Sequence, residues 1–118
     1  MAETSQAVSA YDAKPWLSAY PDCVPAEMTE IADASLAELV ETCCAEFADR
    51  DAYSCMGKSM RFSELDAATK AFSAYLQSLG LQKGDRVALM MPNVMQYPVA
   101  LYGTLRAGLT VVNVNPLY

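Results

Sequence analysis

The sequence predicts an α/β fold built on one βαβ unit, and three observations in its last third carry that prediction. Val87 to Met91 is an apolar run of strand length that stops at Pro92, which cannot donate to a sheet ladder. Thr110 to Val114 is a second, β-branched run, closed by Asn115 and Pro116. Between them Val94 to Ala107 is helical in pattern, carries one charge and is stopped by Gly108. Two strands apolar on successive residues and separated by a helix cannot form a hairpin. They most simply lie parallel and buried, joined by a right-handed crossover.

The connecting helix carries its own packing signal. Ala100, Gly103 and Ala107 fall at i, i+3 and i+7, a strip of small side chains along which a helix can approach a sheet closely. Arg106, in the last turn, opposes the negative end of the helix dipole. With Asn93 as N-cap, Pro98 would cost a hydrogen bond, so either the first turn is distorted or the regular helix begins at Pro98.

Three earlier elements lead into this unit. Ser35-Leu-Ala-Glu38 reads as a capping box opening a helix in which Leu36, Leu39, Val40, Cys43, Cys44 and Phe47 form one stripe. After it, Ala52 to Met56 and Met60 to Phe62 flank Gly57-Lys58-Ser59, which predicts a short hairpin. Ser63 with Asp66 suggests another cap, and Leu65, Ala68, Phe72, Leu76 and Leu79 carry a second amphipathic helix to Gly80. Leu81 to Asp85 turns the chain into the first strand of the βαβ unit. Ahead of these elements, residues 1–13 are small and polar and predict a disordered leader. Residues 14–34, with Trp16, Tyr20 and the prolines at 15, 21 and 25, predict an extended arm pinned by its aromatics or reaching a partner subunit. Residues 35–118 form the remaining, incomplete subdomain.

Composition excludes several functions. Eight basic against 14 acidic residues give a net charge of −6, with no basic stripe to meet nucleic-acid phosphates. The N-terminus lacks the positive and apolar regions of a signal peptide, and no apolar run reaches membrane-spanning length, which predicts a cytoplasmic chain. Cys23, Cys43, Cys44 and Cys55 show no metal-ligand spacing, and there is no histidine to complete a mixed site or a nucleophile pair. Reduced, packed thiols are the expectation, and adjacent Cys43 and Cys44 diverge on a helix.

Candidate chemistry reduces to a few groups, each with a plainer reading. Glu41 and Glu46 lie on the outer face of a core helix and are expected to be solvated. Gly57-Lys58-Ser59 resembles the end of a phosphate loop, but lacks the earlier glycine and the following helix, so it reads as a turn. Gly84, between Lys83 and Asp85, could offer backbone N–H groups to an anion, yet the neighbouring carboxylate opposes that. The glycines at 57, 80, 84, 103 and 108 make neither a dinucleotide fingerprint nor a Walker loop, and no nucleophile elbow is present. The expected assignment is therefore no catalytic, no cofactor-binding and no metal-binding residue.

The same residues carry a resemblance. GDRVALMMPN, an apolar helix ending LRAG, and VVNVNPLY resemble the opening of the adenylate-forming, AMP-binding enzymes, and most closely the bacterial long-chain fatty-acid CoA ligases. MRFSELDAATKAFSAYLQSLGLQKGD and the leader PWLSAYPDCVPAEM extend it over roughly Lys14 to Tyr118. LRAG and the KGD turn occur across the superfamily, whereas the leader and the NVNPLY ending are typical of the long-chain branch. The resemblance implies the start of a large N-terminal lobe, with an incomplete, mostly parallel sheet, from a parent continuing past residue 118. It implies, for that parent, ATP-dependent conversion of fatty acid and CoA to acyl-CoA, AMP and pyrophosphate through an acyl-adenylate, with Mg2+ accompanying ATP. The family's phosphate loop, ribose- and metal-holding acids and catalytic lysine follow the matched segment, so this piece alone is expected to be inactive and to bind no cofactor. Peripheral association with the inner face of the membrane and a homodimer through the arm are compatible with the resemblance. The alternatives are a sibling enzyme acting on an aryl acid, an amino acid or a luciferin, and a non-catalytic interaction or dimerisation module using the arm and the open sheet edge.

Overall fold

The computed structural model describes residues 12–28, 30 and 35–117. Most of the expected disordered leader, residues 29 and 31–34 of the expected arm, and Tyr118 lie outside the described residues. The chain divides into two compact units, Met1–Ala32 and Asp33–Tyr118.

In the first unit the arm is not extended throughout. Pro15–Ala19 is a 3-10 helix, because Pro15 presets the backbone angle of its first position and the Ser18 hydroxyl bonds back to the Pro15 carbonyl at 2.9 Å. A further turn follows, with the Val24 N–H on the Pro21 carbonyl at 2.9 Å. Lys14 and Glu27 meet at 3.0 Å, so the two ends of this segment approach each other. Both side chains are largely exposed, and such a pair contributes little to stability.

The second unit opens with α1 (Leu36–Glu46), whose N-terminal N–H of Glu38 is capped by the Ser35 hydroxyl at 3.2 Å. Val40 and Cys44 are its buried residues, while Leu36 and Leu39 are exposed. The hairpin follows as β1 (Asp51–Cys55) and β2 (Lys58–Arg61), antiparallel with Cys55 opposite Lys58. Its turn is Met56-Gly57, one step earlier than the sequence suggested, and both residues have positive φ, 51° and 74°. A two-residue loop with both central residues left-handed matches the right-handed twist of the strands, which is why Lys58 and Ser59 are drawn into β2.

Helix α2 (Phe62–Ser78) begins earlier than Ser63. Its start is held by the Glu64 carboxylate on the Arg61 N–H at 2.8 Å, and by the loop carbonyls of Arg50 and Ala48, which take the Phe62 and Ser63 N–H groups at 3.0 Å. Asp66 is thereby free for other work. The buried face of α2 is Leu65, Thr69, Ser73 and Leu76, and Leu79 is exposed beside the terminating Gly80. Thr69 and Ser73 escaped the apolar stripe because a hydroxyl can be buried when a backbone carbonyl receives it. Thr69 Oγ1 donates to the Asp66 carbonyl at 3.0 Å.

The βαβ unit is present as β3 (Arg86–Leu89), α3 (Gln96–Arg106) and β4 (Thr110–Asn113). The strands pair in parallel, Arg86 opposite Thr110 and Leu89 opposite Asn113. They are covered on one side only. Leu89 is buried, Val87 and Val111 are half-buried, and Arg86, Ala88, Met90 and Val112 are exposed. The resemblance's incomplete sheet and the α/β class both hold.

Pro98 resolves neatly. The helix begins two residues before it, so Pro98 sits in the first turn, where its missing N–H has no intrahelical partner to lose. At Gly103 the small-residue strip has a different neighbour from the one expected. At Gly103 an added Cβ would lie 2.9 Å from Phe72 Cδ1 and 3.0 Å from the Thr69 carbonyl oxygen, so the close approach is to helix α2 and not to the sheet. Val40, Cys44 and Leu65, flanked by Ala52, Met60, Phe62, Val99 and Tyr102, form the cluster joining α1, the hairpin, α2 and α3.

Candidate functional site

Ligands of parallel α/β sheets bind beyond the carboxyl ends of the strands, where the connecting loops lie at the surface and can vary. In this chain that end is formed by the segment after β3, Met90 to Met95, and the segment after β4, Val114 to Leu117. The Val94 N–H bonds the Pro92 carbonyl at 2.9 Å and the Tyr97 N–H bonds the Val94 carbonyl at 3.0 Å, a pair of tight turns that leads into α3. The Tyr97 hydroxyl then donates to Asn113 Oδ1 at 2.8 Å and ties the start of α3 to the end of β4. Asn115 Oδ1 accepts the Leu117 N–H at 2.9 Å, which turns the chain away from the strand.

Beside this end lies an apolar groove of about 280 Å³ between the hairpin and the Asn93–Met95 turn, with Tyr53, Cys55, Asn93, Met95 and Tyr97 among its walls. An adjoining groove of about 260 Å³ shares Cys55, Val94 and Met95 and adds Met56 and Lys58. No carboxylate lines either one. The walls offer apolar contact, a few hydroxyl and amide groups, and one ammonium group. They do not offer a paired acid and base.

The charged centre of the chain is elsewhere, under α1. Arg106 is almost wholly buried, with its side chain 4% exposed, and its Nη2 donates to Asp66 Oδ1 at 2.7 Å. Nη1 reaches the Asp66 carbonyl at 3.3 Å, and Nε lies 3.6 Å from Glu41, too far for a hydrogen bond. Lys70 completes the group at 2.7 Å from the other Asp66 oxygen. Burial alone would raise the Asp66 carboxyl, but hydrogen bonds from Lys70 and Arg106 outweigh it and hold the carboxyl below its ordinary range. Burial and the Asp66 charge push the Cys44 thiol up, which leaves it a poor nucleophile. Burial, and next the Tyr102 hydroxyl 3.3 Å away, push the Tyr53 phenol up. The whole cluster is internally neutralised and fits a clamp between helices.

The residues weighed in the sequence fall as follows. Glu46 is exposed, whereas Glu41, also exposed, faces the Arg106 guanidinium and is not purely solvated. Arg106 does more than answer the helix dipole, since it joins α3 to α2. Lys58 and Ser59 belong to a strand. Gly84 is left-handed at φ 91°, and its N–H is taken by the Gly108 carbonyl at 3.2 Å, while Asp85 Oδ2 accepts the Gln82 N–H at 2.8 Å. The KGD turn therefore pins the RAG turn and starts the parallel ladder, leaving that N–H occupied. The four cysteines are free thiols, Cys44 buried and Cys23 exposed. Among the described residues no group of three His, Cys, Asp or Glu side chains is placed to hold a metal ion, and no helix is long and apolar enough to cross a membrane. Sequence reading missed the Asp66–Arg106 and Tyr97–Asn113 pairs. Separations of 40 and 16 residues leave no periodic signal, although a lone arginine in an uncharged helix was a hint.

Comparison with known proteins places this geometry. The profile of AMP-binding enzymes matches residues 40–118. The chain is 58% identical over 106 residues to a long-chain-fatty-acid–CoA ligase of Salmonella typhimurium and 57% identical over 106 residues to one of Yersinia pestis. Each match covers 89% of this chain and 19% of the relative, so the chain spans about a fifth of the length of the proteins it matches. Among solved structures it resembles the Mycobacterium tuberculosis fatty acyl CoA synthetase, with a TM-score of 0.64 and 26% identity, over 70% of this chain and 17% of that one. With its βαβ unit, its KGD and LRAG turns and a profile match over most of its length, the chain belongs to the AMP-binding enzyme family.

Proposed function

We propose that this chain is the N-terminal part of an ATP-dependent long-chain fatty-acid CoA ligase. The observation that carries the reading is the extent of the match. An alignment of 106 residues necessarily runs into the segment before Ser35, so the likeness to the long-chain ligases includes the aromatic arm as well as the βαβ unit. A generic relationship within the superfamily does not require that.

In this reading the parent joins a fatty acid to AMP from ATP, releasing pyrophosphate, and then transfers the acyl group to the thiol of coenzyme A, releasing AMP. Mg2+ accompanies the nucleotide. The glycines of this chain form no recognised phosphate loop to cradle the nucleotide. We therefore assign this chain no catalytic, cofactor-binding or metal-binding residue. Its part is to build the first βαβ unit and to hold the Pro92–Gln96 and Asn113–Leu117 segments at the sheet end where substrates of α/β folds sit. The proposal extends to a cytoplasmic enzyme that meets its substrate at the inner face of the membrane, and to pairing of two copies through the arm. The exposure of Trp16, Tyr20, Val24 and Met28 supports a contact role for that arm.

The test is a chimera in which this chain replaces the matched segment of the Yersinia pestis relative. Acyl-CoA formation from long-chain fatty acid, ATP and CoA, with AMP and pyrophosphate released, is the expected result, and the isolated chain gives no turnover. A chimera that folds but activates only aryl or amino acids, or an isolated chain that turns over, overturns the reading.

A further inference from the structure

We propose that Tyr97 is a positioning residue of the parent enzyme, acting through Asn113 to hold the two loops at the carboxyl end of the β3–β4 ladder in one arrangement. The inference rests on the ligase reading and deepens it. It names a residue of this chain on which turnover depends without contact to substrate.

Three observations carry it. The first is where the bond sits. Tyr97 is the second residue of α3, at the end of the loop that leaves β3, and Asn113 is the last residue of β4. The backbone ladder closes one step further on, where the Val114 N–H meets the Leu89 carbonyl at 3.0 Å. Beyond it, among the described residues, the Tyr97–Asn113 bond of 2.8 Å is the only hydrogen bond between residues 90–97 and residues 113–117. The second is residue type. Asparagine is disfavoured in strands, and it follows the β-branched Thr110 to Val112. Asn113 is also exposed, so water can replace the bond on that side and its contribution to stability is small. A polar departure from the local pattern that stabilises little marks a position kept for function. The third is what the bond holds. Tyr97 is a wall of the groove that also contains Asn93 and Met95, and Asn113 lies two residues before Asn115, whose Oδ1 takes the Leu117 N–H at 2.9 Å. One hydrogen bond thus sets the spacing of both loops at the sheet end where α/β folds bind their ligands. A displacement of about 1 Å in such a frame lowers turnover strongly, because the reacting groups lose alignment.

The test is made in the ligase chimera and in the isolated chain. Tyr97→Phe removes the hydroxyl and keeps the ring. In the chimera it is expected to lower kcat for acyl-CoA formation by about tenfold or more. KM for fatty acid, ATP and CoA, and the melting temperature, stay close to those of the unsubstituted chimera. Asn113→Leu, which has no acceptor, is expected to match it, whereas Asn113→Asp keeps an oxygen for the Tyr97 hydroxyl and retains most of the kcat. Combining Tyr97→Phe with Asn113→Leu is expected to be no worse than either alone. The proposal is overturned by an unchanged kcat, by a kcat that falls only in step with the melting temperature, by losses that multiply in the double variant, or by Asn113→Asp as impaired as Asn113→Leu. In the isolated chain, Tyr97→Phe is expected to speed hydrogen exchange at the Val114 and Leu117 amides several-fold and to leave the α2 amides unchanged. Equal rates overturn it as well. An unsubstituted chimera that forms no thioester defeats the ligase reading, whereas an active chimera indifferent to Tyr97→Phe defeats this inference alone.

Discussion

Arg106 and Asp66 form a part-buried, charge-assisted hydrogen bond of 2.7 Å across the seam between α3 and α2, 40 residues apart in sequence. The arginine side chain is 4% exposed, so its stability in that position depends on the carboxylate that faces it.

Removing one partner is therefore costly. Asp66→Leu leaves the buried guanidinium with only the Glu41 carboxylate 3.6 Å from its Nε and is expected to destabilise the chain by about 3 kcal/mol, whereas Arg106→Met leaves Asp66 paired with Lys70 and is expected to cost less. The double substitution is expected to cost clearly less than the sum of the two. Urea unfolding of the four proteins measures the coupling, and strict additivity would show that the pair does not act as a unit.

Asp66 also predicts the acid limb of stability. Its carboxyl is held below the ordinary 3.8 in the folded chain, so the unfolded state binds the proton first. The contribution is fully present above pH 3.8 and is lost as pH falls from there through the folded value. Urea midpoints recorded downward from pH 6 should fall more steeply below that point for the wild type than for Asp66→Asn. Parallel curves contradict the assignment.

Gly103 marks the tightest approach of the two helices. Gly103→Ala places a methyl group 2.9 Å from the Phe72 ring and 3.0 Å from a backbone carbonyl, and only the ring can move. A loss of about 1–3 kcal/mol is expected, despite the better helix propensity of alanine. A melting temperature equal to or above that of wild type refutes it.

At the hairpin the direction reverses. Met56→Asn converts Met56-Gly57 into an Asn-Gly turn suited to two left-handed residues and is expected to stabilise the isolated chain by about 0.5–1 kcal/mol. Differential scanning calorimetry decides it, and a drop would show that the Met56 side chain contributes to the chain's own packing.

The thiols should separate by exposure. Cys23 reacts first with a thiol reagent and Cys44 last, because Cys44 is 4% exposed and its thiol is raised by burial and by the Asp66 charge. Mass-resolved labelling gives the order, and early modification of Cys44 contradicts the packing of α1 on α2.

The elements themselves were legible before any coordinates. Periodicity, caps and breakers act within a few residues, so Ser35 at a helix start, Gly80 and Gly108 at helix ends, and the apolar runs around residues 87 and 111 announce α1, α2, α3 and the parallel strands. Boundaries slipped where two local rules competed. Gly57 was read as opening a turn, but the twist of paired strands recruits Met56 with it, and Ser63 yielded the cap of α2 to Glu64. The sequence by itself thus determined element order, fold class and family membership, because those follow from short-range pattern and shared motifs. Only the tertiary structure decided that Gly103 packs against α2, that Arg106 is buried against Asp66, and that Tyr97 closes onto Asn113. Those contacts join residues 16 to 40 positions apart, and the partner of a small or polar side chain is fixed by which elements pack together, a quantity that no local window contains.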